Sequence, residues 1–355
     1  MRNHKNTLSI LYIPIVIILF LFISCNTNNK KVEDFDIALI EPIELKTQRV
    51  NQDEVIARGA YPFVMIDSLF FLFNGDPSMG AVVLRESDAS KIGQFLRKGN
   101  GFGECHNVDY MGRHKDTIYV YELSTVRKMS YLYSCANDSL WYECIADIRP
   151  KKNSEYYFSV RQLKNGFSVG ARMTGKEYLF TLLDEKLDSI GSFGKIPVDY
   201  SGSNLAAFKG DFIADGNTIY YVGMDFAYMA AYEVSDKEVI TKFEKMYIPP
   251  VLTNSSDRIS FDKYKHLRGF YNIKIYGDYI FATYSGKPLV AKESEGVSAL
   301  VPNTILAFDK QGNILAKFVT KYKIRSISFS EKIMYILDSD CNIESIDMDV
   351  VLKYL

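Results

Sequence analysis

The stretch Ile305-Leu-Ala-Phe-Asp-Lys-Gln-Gly-Asn-Ile-Leu-Ala-Lys-Phe318 is an apolar strand, a polar turn carrying Asp309 and Gly312, and a second strand that ends in Phe. Asp and Gly suit the tight turn of a hairpin. The same unit recurs as Val82-Val-Leu84 through Asp88 to Phe95, as Leu179–Leu183 through Asp184 to Phe193, and as Ala230-Ala-Tyr232 through Asp236 to Phe243. Upstream of this unit in most repeats lies a short apolar strand. Six such strands occur, centred on Phe70, Tyr119, Ser168, Tyr220, Phe281 and Tyr335, with spacings of 49, 49, 52, 61 and 54 residues. A period near 40–50 residues with several strands per unit is the mark of propeller blades. The chain is therefore predicted to be all-β, a six-bladed β-propeller over residues 36–355. The alternatives are a β-sandwich or two small β domains.

The closing Phe residues are placed to fill the space between adjacent blades; the second repeat lacks one. The long gap between Phe243 and Phe318 needs insertions, supplied by the polar stretches 253–265 and 285–298. The last repeat is short by a strand. The N-terminal stretch Phe35-Asp-Ile-Ala-Leu-Ile-Glu-Pro-Ile-Glu-Leu45 is predicted to complete it and close the ring, which removes exposed sheet edges.

The chain carries 42 basic and 43 acidic side chains, a net charge of −1. Losing Arg2 and Lys5 with a cleaved leader takes this to −3. That balance argues against a nucleic-acid binder. Abundant Tyr (25) and Phe (23) suit pleated, half-buried surfaces. Of the five cysteines, Cys135 and Cys144 flank one hairpin. A turn at Asn137-Asp138 sets Leu140 opposite Cys135 and Tyr131 opposite Cys144, too far apart along the ladder for a disulfide. Free, partly buried thiols are expected at Cys105, Cys135, Cys144 and Cys341.

The first residues set the address. A basic start (Arg2, Lys5) leads into an apolar run of about 16 residues, Leu8–Ile23, short of the ~20 that a spanning helix needs. These are the features of a removable signal. Leu21-Phe-Ile-Ser-Cys25 resembles a bacterial lipobox, and that resemblance implies that Cys25 becomes the diacylated N-terminal residue. The other reading is an uncleaved signal anchor. The expected organisation is a signal peptide over 1–24, a lipidated Cys25 with a polar tether over 25–35, and the propeller. The expected location is the bacterial cell envelope, lipid-anchored at the outer membrane and facing the periplasm.

Ile92-Gly-Gln-Phe-Leu-Arg-Lys-Gly99-Asn-Gly101-Phe-Gly103-Glu104 resembles the inter-blade signature of NHL-type and TolB-like propellers, in which an aromatic closes a blade ahead of a Gly-rich loop and an acidic residue. Phe102 and Cys105 depart from the Pro and Phe often found there. The resemblance implies a six-bladed propeller lipoprotein, and a structural role for Gly99, Gly101, Gly103 and Glu104. Glycine permits positive φ and close approach where the chain crosses between blades. The spacing is not that of a phosphate-binding loop.

Motifs for catalysis are lacking: none of the common hydrolase, zinc-protease or P-loop patterns occurs. Cys105 and His106 are neighbours, and strand neighbours point to opposite faces, so they are poor joint metal ligands. Asp338-Ser-Asp340-Cys-Asn342-Ile-Glu344 alternates oxygen ligands but has Ile343 and Asp349 where a calcium loop needs Gly and Glu; it reads as a hairpin turn. Trp141 and the Tyr131–Tyr133 pair suit either a sugar-stacking platform or a blade core, and the core is preferred. No metal or cofactor is expected. The function expected from the sequence is a non-catalytic binding module for an envelope protein or glycan partner, joined to the membrane through lipid alone. The alternative is a glycan- or peptide-directed hydrolase or lyase with carboxylates or an arginine in the central funnel.

Overall fold

The computed structural model describes residues 37–50, 62–73, 79–123, 127–137, 139–151, 155–199, 202, 205–235, 237–253, 259–288, 290 and 301–355. Cys25, the signal and the tether lie outside the described residues.

Among the described residues, six sheets of four or five strands follow one another along the chain, each built from antiparallel consecutive strands. Blade 1 runs from Phe63–Ile66 to Lys91–Arg97, and blade 2 from Val108–His114 to Ser139–Ile148. Blade 3 runs from Tyr157–Gln162 to Ser189–Lys195, and blade 4 from Gly210–Asp215 to Glu238–Ile248. Blade 5 runs from Phe270–Tyr276 to Ile314–Thr320, and blade 6 holds Ile324–Phe329, Ile333–Asp338 and Ile343–Asp347. The first strand of each blade is the innermost. The chain is a six-bladed β-propeller, and the six apolar strands picked out by their spacing are the second strands of the six blades.

The turn aspartates of the repeat have a specific task. Asp184 Oδ1 accepts from Asp188 N at 2.8 Å, and Asp309 Oδ1 from Asn313 N at 2.8 Å. Asp88 Oδ1 accepts from Ser90 N at 2.9 Å. Each carboxylate satisfies backbone donors that the tight turn leaves without ladder partners. Asp236 lies outside the described residues. Asp338 does the same for Asp340 N and Asn342 N, both at 2.8 Å, so its acidic run is a hairpin turn.

The closing Phe residues pack across blade boundaries. Phe95 of blade 1 lies 5.2 Å from Tyr131 and 4.9 Å from Tyr142 of blade 2, and Phe193 of blade 3 lies 5.4 Å from Tyr232 of blade 4. Phe318 of blade 5 joins the core cluster of Ile324, Ile327 and Ile336 of blade 6. The apolar core is thus distributed between blades, where burial of these rings stabilises the ring of sheets.

N-terminal strands close the ring, though by a different segment from the one expected. Pro42–Leu45 runs parallel to Ile314–Thr320, with Ile43 opposite Phe318, as a fifth strand on blade 5. Pro42 lacks an N–H and is tolerated at such an edge. Gln48–Arg49, just beyond, is the strand that completes blade 6, pairing with Ser345 and Glu344. Thr47 Oγ1 donates to the buried Glu344 Oε2 at 2.8 Å and fastens the seam. At the first of the expected insertions, Leu252–Thr253 pairs with Ser260–Phe261; residues 254–258 of the first, and 289 and 291–298 of the second, lie outside the described residues.

Candidate functional site

The inner strands turn one set of side chains toward the central channel, and several of them are polar. Asp109 comes from blade 2, Ser159 and Arg161 from blade 3, Asp211 from blade 4, and Asn272 and Lys274 from blade 5. A cavity of about 410 Å³ opens where the chain enters these strands, with Lys209, Tyr271 and Arg325 also on its wall. It narrows to a neck of about 20 Å³ that also reaches Tyr110, Lys274 and Ser326. Asp109, Arg161, Asp211 and Asn272 line both.

Arg161 is the floor of this funnel. Its Nε donates to Phe212 O at 2.7 Å and its Nη2 to Asp211 Oδ1 at 3.0 Å. Nη1 faces Asp109 Oδ2 at 3.4 Å and donates to Ser159 Oγ, whose hydroxyl in turn bonds Asp109. The guanidinium lies 4.1 Å from the Tyr110 ring centroid and 4.6 Å from that of Phe212, in cation–π contact with both. Asp211 Oδ2 also accepts from Ile273 N at 3.1 Å, which ties blade 4 to blade 5. A charge this buried is tolerated because every side of it is paired.

Burial sets the remaining electrostatics. It raises the Asp109 carboxyl, with Arg161 opposing the shift. It lowers the Lys274 amine, against the pull of Asp211 and with Arg161 adding to the shift. Lys274, Lys209 and Arg325 have no carboxylate within ion-pair reach among the described residues. Arg325 donates to Ser339 O at 3.2 Å. Asn272 is buried, its Nδ2 donates to Tyr271 O at 2.8 Å, and its Oδ1 has no partner among the described residues.

The residues singled out in the sequence lie elsewhere. Gly99–Glu104 is the crossover from the outer strand of blade 1 to the inner strand of blade 2. Glu104 folds back over it and accepts from Gly101 N at 3.0 Å. Gly103 has φ +69, and a Cβ there would lie 2.6 Å from Cys144 Cβ. Cβ atoms on Gly99 or Gly101 would run into the Glu104 carboxylate. Beneath the loop sits Arg127, which the sequence reading missed. Cys105 is buried, its thiol pushed up to about 12 by burial and by Glu122, while His106 is exposed and its N–H donates to Glu122 at 2.6 Å. The four cysteines of the propeller are free thiols, and Leu140 faces Cys135 as Tyr131 faces Cys144. Among the described residues no group of three or more His, Cys, Asp or Glu is arranged to hold a metal.

Tyr131 is core, as preferred, but Trp141 is not. Trp141 lies on the outermost strand of blade 2, where alternation exposes Ser139, Trp141, Glu143 and Ile145. It is 51 % exposed and lines a groove of about 400 Å³ with Phe102.

The funnel residues left a signal that went unread. The inner strands of blades 2 to 5 interrupt their apolar runs with polar residues, in Val108-Asp109-Tyr, Phe158-Ser-Val-Arg161, Gly210-Asp211-Phe and Tyr271-Asn-Ile-Lys274. The repeat spacing is carried by the second strands, which these residues flank.

No protein-family profile matches the chain, and no characterised protein matches it in sequence. Solved structures do match. A protein of Bacteroides fragilis described as exported has 10 % identity and a TM-score of 0.50, covering 87 % of this chain and 94 % of that one. A catalytically inactive virginiamycin B lyase of Staphylococcus aureus, solved with quinupristin, has 11 % identity and a TM-score of 0.48, covering 85 % and 98 %. BamB of Moraxella catarrhalis has 12 % identity and a TM-score of 0.38, covering 83 % and 86 %. These are likenesses of fold.

Proposed function

We propose that the chain is an envelope lipoprotein of the TolB-like or NHL-type kind whose propeller is a non-catalytic binding module, with the central funnel as its recognition site. In this reading residues 1–24 are a cleaved signal, Cys25 carries the lipid, 25–35 is a tether, and 36–355 faces the periplasm from the outer membrane. The partner is an envelope protein or glycan that places a polar group in the funnel. The observation that carries this is the pairing of Arg161 with Phe212 O, Asp211 and Ser159 at the floor of the cavity; the convergence of Asp109, Arg161 and Asp211 from three blades on that cavity is the feature expected of the enzyme reading below. Arg161 is saturated by its neighbours, and neither His nor Cys lines the funnel among the described residues, so the arrangement favours holding over turnover. A rigid ring presents such groups at little entropic cost.

Two measurements test it. Cys25→Ala should move the protein from the membrane to the soluble periplasmic fraction; retention as an integral membrane protein defeats the lipoprotein reading. Arg325→Glu at the funnel wall should abolish capture of whatever the wild type retains from solubilised envelope. Equal capture by both moves recognition away from the funnel.

A second reading, a glycan- or peptide-directed hydrolase or lyase, is favoured by one observation. Burial raises the Asp109 carboxyl and lowers the Lys274 amine in the same neck, and so brings an acid and a base toward neutrality. Turnover of glycan or peptide substrates that disappears in both Asp109→Asn and Lys274→Met would establish it; turnover that survives both excludes it.

A further inference from the structure

Resting on the funnel as the recognition site, we propose that its ligand is an anion bearing a hydroxyl, a hydroxycarboxylate or a phosphate ester of a polyol, with the anionic group held by Lys209 and Arg325 and the hydroxyl donating to Asn272 Oδ1.

Charge is the first observation. Four cations line the funnel and its neck, Arg161, Lys209, Lys274 and Arg325, against two carboxylates, Asp109 and Asp211. Both carboxylates are spent on Arg161, at 3.4 and 3.0 Å. The other three cations make no ion pair with a carboxylate among the described residues, although Asp211 pulls on Lys274 and Asp225 on Lys209 from farther off. Lys209 is exposed, with its Nζ 5.8 Å from the Phe158 ring centroid. A concave site with low-dielectric walls and a surplus of positive charge attracts and orients anions.

Asn272 is the independent observation. Its side chain is buried at the point where cavity and neck meet, and Oδ1 has no partner among the described residues. The amide orientation is fixed, because Nδ2 must donate to Tyr271 O at 2.8 Å. An unsatisfied buried acceptor costs free energy until a donor reaches it. Oδ1 is closed to solvent in this structure, so a ligand hydroxyl that supplies the donor must shift the side chains around it; a bare carboxylate or phosphate dianion has no donor to bring.

The test is calorimetric titration of the full mature chain in detergent with glycerate, glycerol 3-phosphate, acetate, inorganic phosphate and glycerol. Glycerate and glycerol 3-phosphate represent the carboxylate and phosphate forms of the ligand, and the stronger of the two identifies its head group. The expected result is saturable binding of at least one, weakened by salt. The Lys209→Gln/Arg325→Gln double variant should weaken it by about tenfold or more. Asn272→Leu should erase the advantage of glycerate over acetate and of glycerol 3-phosphate over phosphate, with the melting curve confirming a folded protein. Glycerol binding as tightly as the anions, undiminished in the double variant but lost in Asn272→Leu, overturns the anion while leaving the funnel as the site. Absence of saturable binding by all five probes overturns the ligand class. If capture of envelope material is also indifferent to Arg325→Glu, the funnel reading falls with it.

Discussion

Arg127 Nε and Glu122 Oε2 lie 2.7 Å apart, and neither side chain has any exposed surface. The same guanidinium donates to Asp147 Oδ2 at 3.0 Å, to Gly101 O at 3.0 Å, to Gly99 O at 3.4 Å and to Glu104 O. One buried cation therefore gathers the carbonyls of the crossover from blade 1 to blade 2. Removing one member of a buried pair leaves an uncompensated charge, at a cost of about 3–5 kcal/mol. Arg127→Met should lose that much stability in urea denaturation. A loss below about 1 kcal/mol, typical of exposed pairs, would show that the pair does not anchor the loop.

The crossover glycines should differ in cost. Gly103→Ala meets both a positive φ of +69 and the Cys144 Cβ at 2.6 Å, and neither can be relieved by a side-chain rotation. Its expected penalty is about 1–3 kcal/mol. Gly99→Ala pushes only on the Glu104 carboxylate, the end of a flexible side chain, and forfeits one exposed hydrogen bond to Gly101. That loss should be about 1 kcal/mol. Thermal melts of the two variants settle the order, and equal penalties contradict it.

At the funnel floor, Arg161→Met removes the charge that offsets Asp109 and Asp211. The Asp109 carboxyl, already raised by burial, climbs further without it. A carboxyl raised in the folded state contributes stability that is present below the ordinary carboxylate range and lost as pH rises through the folded value. The variant should therefore come nearest to wild type at about pH 4 and fall progressively behind toward neutrality. A gap that stays constant across this range would mean that Arg161 acts through packing alone.

His266 carries the opposite dependence. Its ring stacks on Phe261 with centroids 4.2 Å apart; Nδ1 accepts from Val251 N at 3.2 Å and Nε2–H donates to Asp225 O. Burial holds its pKa below the ordinary 6.5, aided by Arg268 and opposed by Asp225. A depressed value means that the unfolded chain binds the proton first. Stability is present above about 6.5 and declines as pH falls through the folded value. His266→Gln should flatten that part of the stability–pH curve, and an unchanged slope would assign it to another group.

The architecture was legible because its signals are local and repeated. The turn aspartates Asp88, Asp184 and Asp309 mark hairpins by satisfying their own backbone, and Phe95, Phe193 and Phe318 close units by filling the next blade boundary. The funnel was much less so. Asp109, Arg161, Asp211 and Lys274 are far apart in sequence, and each is one polar residue in an apolar strand. Only the ring brings them together. Arg127 was hidden for the same reason, since its partners at 99–104, 122 and 147 meet only across a blade boundary. The N-terminal segment was misassigned by a few residues because Pro42–Leu45 and Gln48–Arg49 both suit an edge strand. Only the register with Phe318 and with Glu344 separates them.

The seam between Thr47 and Glu344 spans 297 residues of chain. In thermodynamic terms this is inexpensive, since loop-closure entropy grows only with the logarithm of length. In time it is not. Blades 1 to 4 pair their own consecutive strands and form as the chain emerges, but Gln48–Arg49 has no partner until Ile343–Asp347 has been made. Contacts of such long range form late. Pro42–Leu45 thus waits for Ile314–Thr320 of blade 5, and Gln48–Arg49 waits longer still, for the last strand of blade 6.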